Sequence, residues 1–357
     1  MNAVPKDEMT PLERMAAFAA GKPYDRIPCS SFSGETACHF IGTTVSKYRH
    51  SAKLMARVET VTYKMFGHDG AGVGPGFLAL AEAMGTELKY PEDNIPFVAN
   101  PVLKNWDDFD KLEPADPHKD GKLPIYLEAL AMIKDAIGDE VPIGSSVGGP
   151  FTTAALVRGT ENFLKDLRRN PEMAHRLLQL VTNTTLNYID AVMDMGCSIS
   201  IGDPTASGSL LSVKQFREFA KPYLSKLSDR VIERTGKGPM LHICGDSTPI
   251  WSDMADTGAP TLSLDNVIDL AKAKKVVGDR VCIMGNVKPI DTIMKGSHQQ
   301  IEAEVKECLR KAYDSPKNFI LAVGCQVPLG TTADNFMCFM NAARKYGRYP
   351  LNPDNFI

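Results

Sequence analysis

The sequence predicts an α/β protein, a (β/α)8 barrel, and three observations carry that expectation. From Val141 to Tyr346 short apolar runs alternate with amphipathic stretches of helical period. No Gly-x-Gly-x-x-Gly follows the first apolar run and no phosphate-loop pattern occurs, which removes the usual nucleotide-binding sheets. No linker-like shift in composition divides the 357 residues, so 1–357 reads as a single domain, long enough for one large barrel with an elaborated N-terminal third.

The elements follow in order. Thr10-Pro11-Leu12-Glu13 sets a cap, a proline at the first helical position and an acid in the first turn, so a short helix runs through Ala19. Arg26–Phe32 reads as a first strand. Helices cover Thr44–Phe66, with Leu54, Val58, Val61, Thr62 and Met65 on one face. Gly67–Gly76 is a glycine-rich loop, and Glu87–Leu103 alternates as a hairpin arm. Helices are expected at Pro124–Gly138, Thr152–Arg168, Pro171–Met195, Ser212–Arg234, Thr248–Asp256, Leu270–Val277, Ile301–Ala312 and Thr332–Tyr346. Strands are expected at Val141–Val147, Cys197–Ile201, Met240–Ile243, Thr261–Leu264, Val281–Met284 and Phe319–Val323, with one or two more before them.

Net charge is −3, so no basic footprint suggests nucleic acid. No run reaches the about 18 apolar residues that span a bilayer, and Met1–Glu8 lacks the apolar core of a signal peptide. A cytoplasmic location is expected, and a homodimer is compatible with it. The eight cysteines are irregularly spaced in a long chain, which argues against a disulfide framework. Cys29, Cys197, Cys282, Cys308 and Cys338 sit in apolar or helical patterns and read as small buried hydrophobes.

Cys244 and Cys325 differ, because each lies where an apolar run meets glycine. In Leu241-His242-Ile243-Cys244-Gly245, His242 and Cys244 fall on the same side of a strand. An imidazole beside a thiolate is half of a tetrahedral zinc site, and Cys325 at the end of Phe319–Val323 is the best third ligand. Three protein ligands with one open position is the catalytic arrangement. Barrel enzymes place their chemistry at the C-terminal ends of strands, and here those ends read Ser145/Ser146, Asp203, His242/Cys244, Asp265, Asn286 and Cys325. Asp203 would orient substrate, carry a proton or anchor a ligand, or else cap a helix. Asp265 sits similarly, and Asn286 offers an amide. Glu35, after the first strand, His68, in the glycine segment as part of a lid, and Ser145 are further substrate-side candidates.

These residues resemble the corrinoid-dependent methyltransferases of the uroporphyrinogen decarboxylase superfamily. The resemblance rests on Leu241–Gly245, Pro249–Gly258, Gly285-Asn286-Val287, Gly324–Pro328, Thr10–Arg14, Asp25–Pro28 and Gly149–Thr152, and spans essentially the whole chain. It implies a distorted barrel of that type with Zn²⁺ held by His242, Cys244 and Cys325, a metal that the decarboxylase branch lacks. It also implies a partner protein that carries the corrinoid, docks over the barrel mouth and gives or takes the methyl group. Where the coenzyme M enzymes have acidic and lysine residues, this chain has Leu264-Asp265-Asn266. The expected activity is therefore transfer of a methyl group from a small donor, such as a methoxylated aromatic, to Co(I) of the corrinoid: an O-demethylase component. Methyl transfer from the corrinoid to a thiol is the alternative. A porphyrinogen decarboxylase is the alternative of another class, and a closed structural zinc site is the non-catalytic one.

Overall fold

The computed structural model describes residues 7–30 and 34–356. Residues 1–6, and the Ser31 and Phe32 end of the expected first strand, lie outside the described residues. Among the described residues ten strands occur: β1 Cys29–Ser30, β2 Ala71–Gly72, β3 Glu87–Lys89, β4 Phe97–Asn100, β5 Ile143–Gly148, β6 Ser198–Gly202, β7 Met240–Ile243, β8 Thr261–Leu264, β9 Cys282–Val287 and β10 Phe319–Val323. Eight form one sheet in the order β1-β10-β9-β8-β7-β6-β5-β2, every pairing parallel. The sheet curls until its edges approach, and Asp69 N–H, just ahead of β2, donates to the Cys29 carbonyl of β1 at 2.9 Å. This curled sheet with helices outside it is consistent with a (β/α)8 barrel. The remaining two strands, β3 and β4, pair antiparallel as the expected hairpin arm.

Strand alternation sorts the core into two layers. Outward residues such as Leu262, Leu264, Ile283, Leu321 and Val323 join the large cluster beneath the helices. Inward residues Cys282, Met284, Ile320 and Ala322 form a smaller cluster with Phe18, and Met15, Tyr24 and Met240 pack against it. Phe18 and Met15 belong to the first helix, Pro11–Ala19, opened by a capping box in which Thr10 and Glu13 satisfy each other's backbone N–H groups. That helix closes the inside of the sheet at the N-terminal ends of its strands.

Three expectations needed correction. β2 lies inside the stretch read as a loop. Its glycine is imposed by close strand approach, since a Cβ on Gly72 would stand 1.8 Å from the Gly144 carbonyl oxygen. The helix expected over Thr152–Arg168 is two, Pro150–Arg158 and Thr160–Arg169, parted by Gly159 at φ +85°. The helix expected over Ser212–Arg234 contains a wide π turn at Phe216–Ala220, immediately before Lys221-Pro222. Pro222 has no N–H to give and its ring excludes the carbonyl one turn back, so the ladder slips there.

Candidate metal centre

His242, Cys244 and Cys325 come together at the C-terminal ends of β7 and β10. Their ligand atoms lie within 4.8 Å of one another, the one such set of three or more among the described residues. Parallel register puts His242 directly beside Ser263 of β8. His242 Nδ1 lies 3.1 Å from the Ser263 carbonyl and 3.1 Å from its hydroxyl. A carbonyl only accepts, so Nδ1 carries the proton and Nε2 presents its lone pair, 3.1 Å from Cys244 Sγ.

Cys244 Sγ and Cys325 Sγ are 3.7 Å apart, matching the edge of about 3.7 Å that two sulfurs make on a tetrahedral ion at about 2.3 Å. The bond to Cys325, then burial, pushes the half-buried Cys244 thiol up, and the bond from Cys244 pulls Cys325 down toward the thiolate against its own burial. An imidazole nitrogen and two thiols at these spacings fit a borderline-soft ion such as Zn²⁺.

The other candidates fall into three groups. Asp265 and Asn286 adjoin the set. Asp265 accepts from Gly245 N–H at 2.8 Å and Val267 N–H at 3.1 Å. The Asn286 amide donates to the carbonyls of Asp265 at 2.9 Å and Ile268 at 2.7 Å.

Asp203, wholly buried after β6, is engaged with the helix start at Pro150. It accepts from Thr152 N–H at 2.7 Å, the Thr152 hydroxyl at 2.6 Å and Phe151 N–H at 3.2 Å. Burial pushes its carboxyl up to about 6 against those bonds.

Glu35, Ser145 and His68 stand elsewhere. Glu35 is ion-paired with Arg49, which also reaches the Tyr126 hydroxyl. Ser145 is not at a strand end, because β5 continues to Gly148; its hydroxyl donates to the Val73 carbonyl at 2.9 Å. His68 precedes β2, whose Ala71 pairs with Ile143, the first residue of β5. It is therefore buried at the opposite end of the strands from Cys244, where a lid is not placed, and burial pulls its imidazole down to about 4. Ser263 was missed: its only sequence signal is being the polar inward residue of Thr261–Leu264, and the register that sets it against His242 is not written locally.

Residues 10–346 match the profile of the uroporphyrinogen decarboxylase (URO-D) family. A methylcobamide:CoM methyltransferase, MtaA, of Methanosarcina barkeri is 32% identical over 346 residues, 95% of this chain and 99% of that protein. A uroporphyrinogen decarboxylase of Chlorobaculum parvum is 33% identical over 266 residues, 72% of this chain and 74% of that protein. A solved methyltransferase from Methanosarcina mazei superposes with a TM-score of 0.85 at 29% identity, over 95% of this chain and 99% of that one. The chain belongs to the uroporphyrinogen decarboxylase family. Within it the chain is an enzyme of the corrinoid-dependent methyltransferase branch. The methylcobamide:CoM similarity backs the thiol-acceptor alternative better than the expected O-demethylation. No helix among the described residues is long and apolar enough to cross a membrane.

Proposed function

We propose that this protein, one barrel domain with an elaborated N-terminal segment, moves a methyl group from a methylated corrinoid to a thiol seated at His242, Cys244 and Cys325. The carrying observation is the three-cornered ligand set of His242, Cys244 and Cys325, whose ligand atoms lie within 4.8 Å of one another, spaced for a tetrahedral ion. Zn²⁺ held there would lower a thiol's pKa, so that the thiolate exists at neutral pH. The S–C bond forms as the Co–C bond breaks, both electrons of that bond stay on cobalt, and the thiol's proton is lost to solvent. Ser263 holds His242 in one tautomer, and the curled sheet keeps the sulfurs inside a half-buried recess. Asp203 and Asp265 spend their oxygens on backbone N–H groups, which suits support better than proton transfer.

The partner is a corrinoid-carrying protein. Leu210, Val267 and Ile290 are exposed apolar side chains on the segments that follow β6, β8 and β9, the same end as the ligand set. They form the rim on which that protein would dock. Replacing all three by Ser is expected to slow methyl transfer from the protein-bound corrinoid at least tenfold, and to leave transfer from free methylcobalamin within twofold.

The direction is tested by following the corrin spectrum. Methylcobalamin should lose its methyl only when a thiol is added, and the thioether should accumulate in equal amount. Methylcobalamin formed from cob(I)alamin and a methoxylated aromatic, with no thiol dependence, would reverse the assignment in favour of demethylation.

A further inference from the structure

We infer that the acceptor thiol lies with its tail inside the barrel along β5 and β6, that Gly202 keeps this space open, and that the acceptor is a short thiol whose tail ends in an uncharged hydroxyl or amide. The inference deepens the proposed function and rests on it.

Register sets this space beside the ligand trio. Gly202 of β6 stands opposite His242 of β7. Two residues earlier, Ser200 stands opposite Met240 on one side and Ser146 of β5 on the other. Ile199 and Ile201 belong to the outer core cluster, so alternation turns Ser200 and Gly202 inward. Ser145 turns outward to the Val73 carbonyl, so Ser146 also faces the interior. Ser146 is exposed even so, in the middle of a strand that has neighbours on both sides. The interior is therefore open along this wall.

Gly202 differs from the other glycines of the sheet. A Cβ on Gly72, Gly144, Gly148 or Gly285 would stand 1.8, 2.5, 2.4 or 2.9 Å from a neighbouring atom, so packing excludes a side chain at each. A Cβ on Gly202 would meet nothing within 4 Å. Glycine weakens a strand, and where no protein neighbour requires it, it marks a place that a ligand approaches closely. The opposite wall is filled, because Cys282, Met284 and Ile320 pack into the cluster around Phe18. A thiol at the metal receives its methyl group from the mouth, so its tail points away from the mouth, and the β5–β6 side has the room.

The wall sets the class of tail. The hydroxyls of Ser146 and Ser200 have no hydrogen-bond partner among the described residues. They sit about 7 Å below Gly202, at about 3.3 Å per strand residue. A two-carbon tail spans about 4 Å from sulfur to a terminal oxygen, and a hydrogen bond of about 2.8 Å closes the rest. Among the described residues, no Arg, Lys, Asp or Glu occupies an inward position of β5 to β10. Two thiolates already balance a divalent ion, so an incoming thiolate leaves the centre anionic. A negative charge on the tail would be enclosed beside it without a cation, whereas a hydroxyl or amide finds free partners.

The test uses the full-length, zinc-loaded protein with methylcobalamin and three two-carbon thiols, followed by loss of the methylcobalamin spectrum. 2-Mercaptoethanol should exceed 2-mercaptoethanesulfonate and ethanethiol in kcat/KM by about tenfold or more. Gly202→Leu fills the space and should raise KM for 2-mercaptoethanol about tenfold, with a smaller change in kcat and with zinc uptake equal to wild type. Ser146→Ala combined with Ser200→Ala should bring 2-mercaptoethanol down to the level of ethanethiol. A higher kcat/KM for the sulfonate would overturn the uncharged class, and an unchanged KM in Gly202→Leu would overturn the seat. Should Gly202→Leu fail to fold, the serine variants, which lose only hydroxyls, carry the same decision. Wild-type protein that binds zinc and transfers methyl to none of the thiols would instead remove the proposed function on which the inference stands.

Discussion

The two ends of the curled sheet both bury polar groups, and they bury them for different ends. At the N-terminal end, Asp69 accepts from Arg14 at 2.5 Å, from Arg26 at 2.7 Å and from Cys29 N–H at 2.6 Å. Asp25 takes the rest of Arg14 through two bonds, and Asp7 pairs with Arg26 and Arg344. Cations and anions there answer one another, and the outcome is a joined seam. At the C-terminal end, two thiols and an imidazole face one another with no cation among them. Burial of polar groups is common to both; leftover ligand capacity marks only the second.

The largest effect should come from breaking the first end. Asp69→Ala leaves two buried guanidinium groups short of a partner and β1 short of an acceptor. It should cost about 3–5 kcal/mol, read as a loss of several degrees in thermal midpoint, while any protein that remains folded still binds zinc. Cys325→Ala sharpens the contrast from the other side. Zinc stoichiometry should fall from one to near zero, while the metal-free protein unfolds within about 1 kcal/mol of wild type. Retained stoichiometric zinc in that variant would break the three-ligand assignment.

A further buried acid, whose effect is spread over several pH units, separates pairing from burial. Glu59, a buried residue of the helix Ala52–Phe66, has Oε1 unpartnered, and burial pushes it from 4.5 up to about 8. The native state then keeps a proton that the unfolded chain releases. Stability is full below about 4.5 and falls as pH rises through about 8, by up to about 1.4 kcal/mol per unit. Glu59→Gln should flatten that part of the profile in chemical denaturation between pH 5 and 8; an unchanged slope would mean Glu59 ionises freely.

Much of the fold was legible because its signals are local. Six strands from Val141 onward, the Thr10 cap and the hairpin arm all follow from period and punctuation within about ten residues. β2 was not legible, because glycine marks both a turn and a backbone pressed against its neighbour, and only the neighbour decides. The convergence of His242, Cys244 and Cys325 was readable from His-x-Cys and a distant strand-terminal cysteine. Its support was not, since Ser263 reaches His242 through register, and Asp265 reaches Gly245 across a loop. His68 misled for the same reason: a polar residue near glycine says nothing about which end of a strand it occupies.

The helix Pro11–Ala19, with Phe18 and Met15 lying under the inner layer of Met284, Ile320 and Ala322, makes the enclosure a cup and not a tube. Traffic through a cup is one-sided. On the proposed function, the small thiol and the bulky methyl carrier must use the same opening, so the thiol has to be seated before the carrier covers it, and the thioether cannot leave until the carrier has gone. Turnover would then follow a compulsory order, and an excess of the carrier should trap the product and inhibit the enzyme.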